Sequence, residues 1–359
     1  MSAFTPLAGS TAADSWPMAR VMAGMSAMPV GHAVDLAFFF PTARSRHESL
    51  IAETRRHLGG CFTAIETALR VALDQSPEVA EALLHCPGPL CWPTICQQPT
   101  LLSPALLAHM QLRAAVSLML RQFGQADAEY GEAAADGSPA EDPALVDAFA
   151  ILALAEGRWM ALGGEDQAMR PDVPADYFAE MVWTTSACLA AAARRGAPGR
   201  ADRMLAAFER AGNRLIADHD GNCSPLVAAE RLVRQMGGSA DASDPLGAGL
   251  SGRRFLPFAA LAARRQWLTI IQVIDILVMA PLTQLGALCR ALGGSDADYR
   301  QLLLALRPVR PWLTDSFVIA EAERYQGVSE DEADAIIDAL RTPASFRAKL
   351  DHLIGVMAA

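Results

Sequence analysis

A chain of 359 residues with 40 acidic and 30 basic side chains, net charge −10, gives no support for nucleic-acid binding, which usually needs a basic face. Its hydrophobic share of 52% is ample for a core, and with aromatics at only 6% that share is mostly Ala and Leu, which favour helices. The seven cysteines are odd in number, and MSAFTPLAGSTAADSW has no basic segment followed by an apolar one, so the expectation is a cytoplasmic chain with reduced thiols.

Residues 1–43 show no sustained period and are expected to be a disordered tail. From residue 44 to 236 the pattern is that of an N-terminal helical array. Leu50, Ile51, Thr54 and Leu58 share one helical face, and Phe62, Ile65, Leu69 and Ala72 continue it beyond Gly59-Gly60. The two glycines could end one helix and start the next, or kink a single one. Ser76-Pro77, Ser103-Pro104, Asp142-Pro143, Ser224-Pro225 and Thr342-Pro343 each place a capping oxygen before a proline, the grammar of a helix start. Ser329 with Glu332 has the spacing of a capping box.

An acidic loop is expected at 125–141, where QADAEYGEAAADGSPAE carries no Lys or Arg. Amphipathic helices follow over Leu145–Leu162, Ala175–Arg195 and Ala201–Ile216. The small-residue run at 237–252, GGSADASDPLGAGLSG, reads as a linker and the domain boundary, with a C-terminal helical region over 253–359. Within that region Trp267–Ala280, WLTIIQVIDILVMA, is apolar on nearly every side, as a central buried helix is. It is shorter than the roughly 20 residues a bilayer demands and carries Asp275, so no membrane span is expected. The fold class is therefore all-α, built of stacked antiparallel helix pairs that could form two sub-arrays.

The run Pro89–Arg121, PLCWPTICQQPTLLSPALLAHMQLRAAVSLMLR, resembles a helix pair of an alphaproteobacterial family catalogued as domain of unknown function 2336. Ile51–Leu84 is similar to that family's first HEAT-like pair, and Phe255–Leu306 to its later part. The resemblance covers about two thirds of the chain. It implies a HEAT-like array in a bacterial cytosol and supplies no catalytic residues. Cys91-Trp92-Pro93 departs from the small residues usual there.

Four features carry possible chemistry. His85, Cys86, Cys91 and Cys96 are the residue types that hold zinc or an iron–sulfur cluster; structural zinc sites pair ligands as C-x₂₋₄-C, and here the gaps are four and four with three intervening prolines, while buried cysteines are ordinary small hydrophobes. His47, in Arg-His-Glu-Ser at a helix start, is the candidate for a phospho-accepting histidine; its plain alternative is a solvated surface side chain. The stretch from Asp218 to Leu226 begins like a calcium loop but has Cys223 where glycine is needed, and reads as a turn. Asp275 needs a cation if its helix is central, and Arg264, Arg265 and Arg290 are the candidates in sequence. On that reading Asp275→Ala would cost about 3 kcal/mol or more.

No phosphate loop, dinucleotide glycine motif, nucleophile elbow or metalloprotease motif is present. The functional expectation is a non-enzymatic cytoplasmic scaffold or regulator, without cofactor, binding another protein through the face of the array. The acidic balance favours a partner with basic patches. The alternatives are phosphotransfer through His47 and metal binding through Cys86, Cys91 and Cys96.

Overall fold

A computed structural model describes residues 48–129, 142–196, 201–247 and 254–342, with the isolated positions 346, 350 and 353. Fifteen α-helices and no strand occur among the described residues, so the all-helical expectation holds, and the helices pack as pairs. They are α1 (Glu48–Leu73), α2 (Pro77–Leu84), α3 (Cys91–Gln97), α4 (Pro104–Glu129), α5 (Pro143–Met160), α6 (Ala175–Gly196), α7 (Ala201–Ala217), α8 (Pro225–Met236) and α9 (Gly238–Ala242). The remainder are α10 (Phe255–Gln266), α11 (Ile270–Val278), α12 (Leu282–Ala291), α13 (Asp296–Ala305), α14 (Asp315–Tyr325) and α15 (Glu330–Arg341). The expected tail at 1–43 and His47 lie outside the described residues.

The chain forms two compact units, and the division differs from the expected one. Of the described residues, one unit holds 48–117 and 151–228, the other 118–150 and everything from 229 onward. The expected linker at 237–252 is therefore not where they part. Ala, Ser and Asp suit a helix as well as a linker, and here they build α9, with Ala240 and Leu246 buried. Asp241 takes a two-pronged bond from Arg264 (2.7 and 3.0 Å), and Ser243 O accepts from Arg265, which ties this stretch to α10. The acidic loop expected at 125–141 begins late: α4 continues through Glu129, and 130–141 lies outside the described residues.

In the first unit the apolar face of α1 (Leu58, Phe62, Ile65, Leu69) packs on α3, α6 and α7, whose contributions include Ile95, Phe178, Val182, Leu189 and Phe208. The serine and aspartate caps are made where expected: Leu106 N donates to Ser103 Oγ at 3.1 Å, Ala144 N to Asp142 Oδ1 at 3.0 Å, and Val227 N to Ser224 Oγ at 3.3 Å. Ser76 precedes α2 without such a bond. Asp220 accepts from Asn222 N, so the stretch after α7 is a turn, as read.

In the second unit α12 packs against α15 and α10 against α11. Trp267 does not belong to the central helix. It closes α10 in the left-handed region (φ 54°) and is 82% exposed, while Thr269 and Gln272 form a capping box that starts α11. Ile270, Val273, Ile274, Ile276, Leu277 and Val278 are buried as expected.

Asp275 is only half-buried, and the three arginines nominated for it are engaged elsewhere: Arg264 and Arg265 on α9 and its end, Arg290 on Tyr325 O. The cation that meets this helix is Arg310, buried, donating to Leu277 O and Ile276 O at 2.8 Å each and closing the orphan carbonyls of α11. Burial pushes its pKa down to about 10, and the negative charge of Asp275 is among the influences opposing that. The larger cost therefore moves to the arginine. Arg310→Met is expected to lose about 3 kcal/mol by stranding two buried carbonyls, and Asp275→Ala about 1 kcal/mol. Urea denaturation of the two variants checks the order.

Candidate functional site

The feature with most chemistry is a group of charged side chains buried in the first unit. Glu53, Arg56 and His57 lie at i, i+3 and i+4 of α1, one face of a helix, and are 5%, 8% and 0% exposed. Arg113 and Ser117 come from α4, Trp159 from α5, and Asp172 from the loop 161–174 that joins α5 to α6.

Glu53 is the hub on one side. Its carboxylate accepts from Arg56 Nε (3.0 Å) and Nη2 (2.6 Å), from Ser117 Oγ (2.6 Å), and lies 3.0 Å from His57 Nε2. Asp172 is the hub on the other, 2.7 Å from Arg113 Nη1 and accepting from Trp159 Nε1 at 3.0 Å. Arg113 joins the two: its Nε donates to His57 Nδ1 at 2.8 Å, and its guanidinium lies over the Trp159 ring. That bond leaves Nδ1 as the acceptor, so the proton of neutral His57 sits on Nε2 and points to Glu53.

Electrostatically the two carboxylates face arginines in a site closed to water. Burial raises the pKa of the Glu53 carboxyl, but hydrogen bonds from His57 and Arg56 overcome this and hold it well below the usual range. Burial, helped by the Arg113 and Arg56 charges, pushes His57 down to about 3 despite its bond to Glu53. Both nitrogens of His57 are occupied and Ser117 bonds Glu53 rather than the imidazole, so this is no nucleophile-and-base pair. It is an ionic lock.

The lock fixes a loop. Across α1 the stretch 163–169 runs directly over Gly59-Gly60, with Met169 N donating to Gly60 O at 2.9 Å. A Cβ on Gly59 would stand 2.2 Å from Glu165 O, and one on Gly60 2.8 Å from Gln167 O. The two glycines thus neither end nor divide the helix, which runs unbroken from Glu48 to Leu73; they let a second backbone lie against it. Glu165 then takes Arg55 Nε at 2.7 Å and Trp92 Nε1 at 3.0 Å, fastening the loop at its other end.

The cysteines expected to share a metal are not brought together. Cys91 is buried with Sγ 3.5 Å from Thr185 Oγ1, where its hydrogen-bonded neighbour Cys188 and burial push the thiol up. Cys96 lies 3.8 Å from Arg55 Nη2, Cys86 sits before α3, and His85 is exposed. Among the described residues no three His, Cys, Asp or Glu side chains gather as metal ligands. The N-terminus of α3 is taken instead by the Glu66 carboxylate, which accepts from Leu90 N and Cys91 N. Sequence reasoning missed Glu53, Arg56, His57, Arg113 and Asp172 altogether. The one available signal was the polar triplet inside an otherwise apolar helical face.

A pH dependence follows. His57 binds its proton more weakly folded (about 3) than unfolded (6.5), so its contribution to stability is complete above about pH 6.5 and is lost as the pH falls toward 3. By pH 5 that loss is about 2 kcal/mol. Lowering of Glu53 acts in the same direction at lower pH, below the ordinary carboxyl range. Urea midpoints measured between pH 7.5 and 5 are expected to fall steadily, and a flat profile would remove His57 from the buried lock.

Searches with protein-family models, curated proteins and solved structures returned no match to this chain. No helix among the described residues is long and apolar enough to cross a membrane.

Proposed function

We propose that this chain is a non-enzymatic helical scaffold of the bacterial cytosol that binds another protein through the outer face of α5. The observation that carries this is an inverted pattern on that helix. Leu152, Ala155 and Trp159 face inward and are buried, while Ile151, Leu154 and Leu162 at its C-terminal half and end are 55%, 70% and 81% exposed. A polar face is what a merely structural surface helix would present there. Exposed apolar side chains grouped on one rigid element are the usual mark of a docking face. The ionic lock supports the reading by fixing that element: Arg56 donates to Trp159 O and Ala161 O at the end of α5, and Ser117 to Trp159 O. The resemblance to a family of HEAT-like helical pairs agrees with a binding role, since such arrays present broad faces.

The test is affinity capture with purified parent and with Ile151→Asp/Leu154→Asp. Both substitutions are exposed, so thermal unfolding should be unchanged within about 0.5 kcal/mol. A specific partner held by the parent and lost by the variant is the expected result. Retention of the same partner by a folded variant would remove α5 as the docking face.

A further inference from the structure

The same loop that crosses Gly59-Gly60 forms, with the end of α5, a concave pocket of about 210 Å³ whose wall is charged in one sense only. Arg56, Arg158 and Arg170 line it together with Gly163, Gly164 and Gln167, and no carboxylate does. In a chain of net charge −10 this is an unexpected place to gather three guanidinium groups. They are not all spent on partners. Arg56 is bound to Glu53 and to two carbonyls, and serves as the fixed floor. Arg158 donates through Nη2 to Cys223 O at 2.7 Å, but its Nε is buried without a hydrogen-bond acceptor, 3.9 Å from Asp172 Oδ2. The Arg170 side chain is exposed at the rim, with Asp220 the acid that senses its charge; it is the Arg170 carbonyl that the lock uses, accepting from Arg113. Gly163 and Gly164 are exposed, and their amide N–H groups make no backbone hydrogen bond.

We propose that this pocket binds a phosphoryl group, held by the guanidinium fork of Arg170, by Arg158 through its Nη1, and by the amides of Gly163 and Gly164, with Arg56 adding positive potential from below. Guanidinium forks match phosphate oxygens in pairs, and backbone amides left open beside them complete an oxyanion cradle. Side chains crowd both glycines: a Cβ would stand 2.0 Å from Gln167 Oε1 at Gly163 and 2.6 Å from Asp166 Oδ1 at Gly164, and these flexible side-chain ends swing aside when an anion reaches the amides. The pocket borders the α5 docking face, since Leu162 belongs to both, but Ile151 and Leu154 do not line it, so the Ile151→Asp/Leu154→Asp and Arg170→Gln variants test the two readings separately.

Titration of the full chain with inorganic phosphate decides it, followed by ³¹P line broadening and by thermal shift, with sodium chloride at matched ionic strength as reference. Saturable broadening and a rising melting temperature with phosphate but not chloride are expected. Arg170→Gln, on an exposed side chain, should keep the fold and weaken binding about tenfold, and Arg158→Gln/Arg170→Gln should abolish it at millimolar phosphate. A response to phosphate no larger than that to chloride, or one equal in folded Arg170→Gln and parent, would overturn the proposal. Should the double variant fail to fold, Arg170→Gln alone carries the decision.

Discussion

Gly59→Ala is expected to destabilise the protein by about 3 kcal/mol, although alanine is the better helix former by about 1 kcal/mol. The sign is the informative part. Gly59 sits inside an unbroken 26-residue helix, and on propensity alone the substitution would stabilise it. A methyl group there, however, would lie 2.2 Å from Glu165 O and 3.0 Å from both the Glu165 carbonyl carbon and Trp92 Cε2. These are backbone and ring atoms that cannot swing aside, so either α1 bends or the loop lifts. Lifting the loop breaks the bonds of Glu165 to Arg55 and Trp92. Gly157→Ala is the matching control, since its added carbon meets nothing within 4 Å on the exposed side of α5. That variant should gain about 0.5–1 kcal/mol. Chemical denaturation of both compares opposite signs from the same substitution.

Asp172→Ala should cost about 4 kcal/mol, within the range for breaking a buried charge pair. The pair itself contributes little, because desolvating two ions offsets most of their attraction. Removing one member leaves Arg113 almost fully buried beside a fully buried Asp172 position, with only the Arg170 carbonyl and His57 as acceptors, and leaves Trp159 Nε1 without its acceptor. Asp172→Asn keeps an oxygen for Trp159 and should cost about half as much. Arg113→Met together with Asp172→Leu, which removes both charges and keeps volume, should recover much of the loss. A double-mutant cycle on urea midpoints reads this directly. If the costs of Arg113→Met and Asp172→Leu alone add up to the cost of the double variant, Arg113 and Asp172 are not coupled and the lock is not one unit.

Much of the scaffold was legible because its signals are local. Apolar spacing placed α5, α6 and α7 within two residues of their ends, and Ser103, Asp142 and Ser224 capped as their proline partners implied. What was not legible depends on chain segments far apart in sequence. Gly59-Gly60 looked like a break because glycine lowers helix propensity; the reason for them is a loop more than a hundred residues later. Arg113 and Asp172 are likewise 59 positions apart, and neither carries a local pattern. Cys86, Cys91 and Cys96 show the opposite case: close in sequence, they are not gathered, with Cys91 beside Thr185, Cys96 beside Arg55 and Cys86 ahead of α3. Asp275 was read as central because its neighbours are apolar, yet one helix face cannot report that Arg310 would take the carbonyls beside it.

The account rests on the loop 161–174 being held on α1 rather than lying beside it. Hydrogen–deuterium exchange at the Met169 amide, which donates to Gly60 O, measures that most directly. It should exchange as slowly as the buried turns of α1 in the parent and become fast in Gly59→Ala and Asp172→Ala while α6 stays protected. Fast exchange at Met169 in the parent, or an unchanged slow rate in both variants, would contradict it.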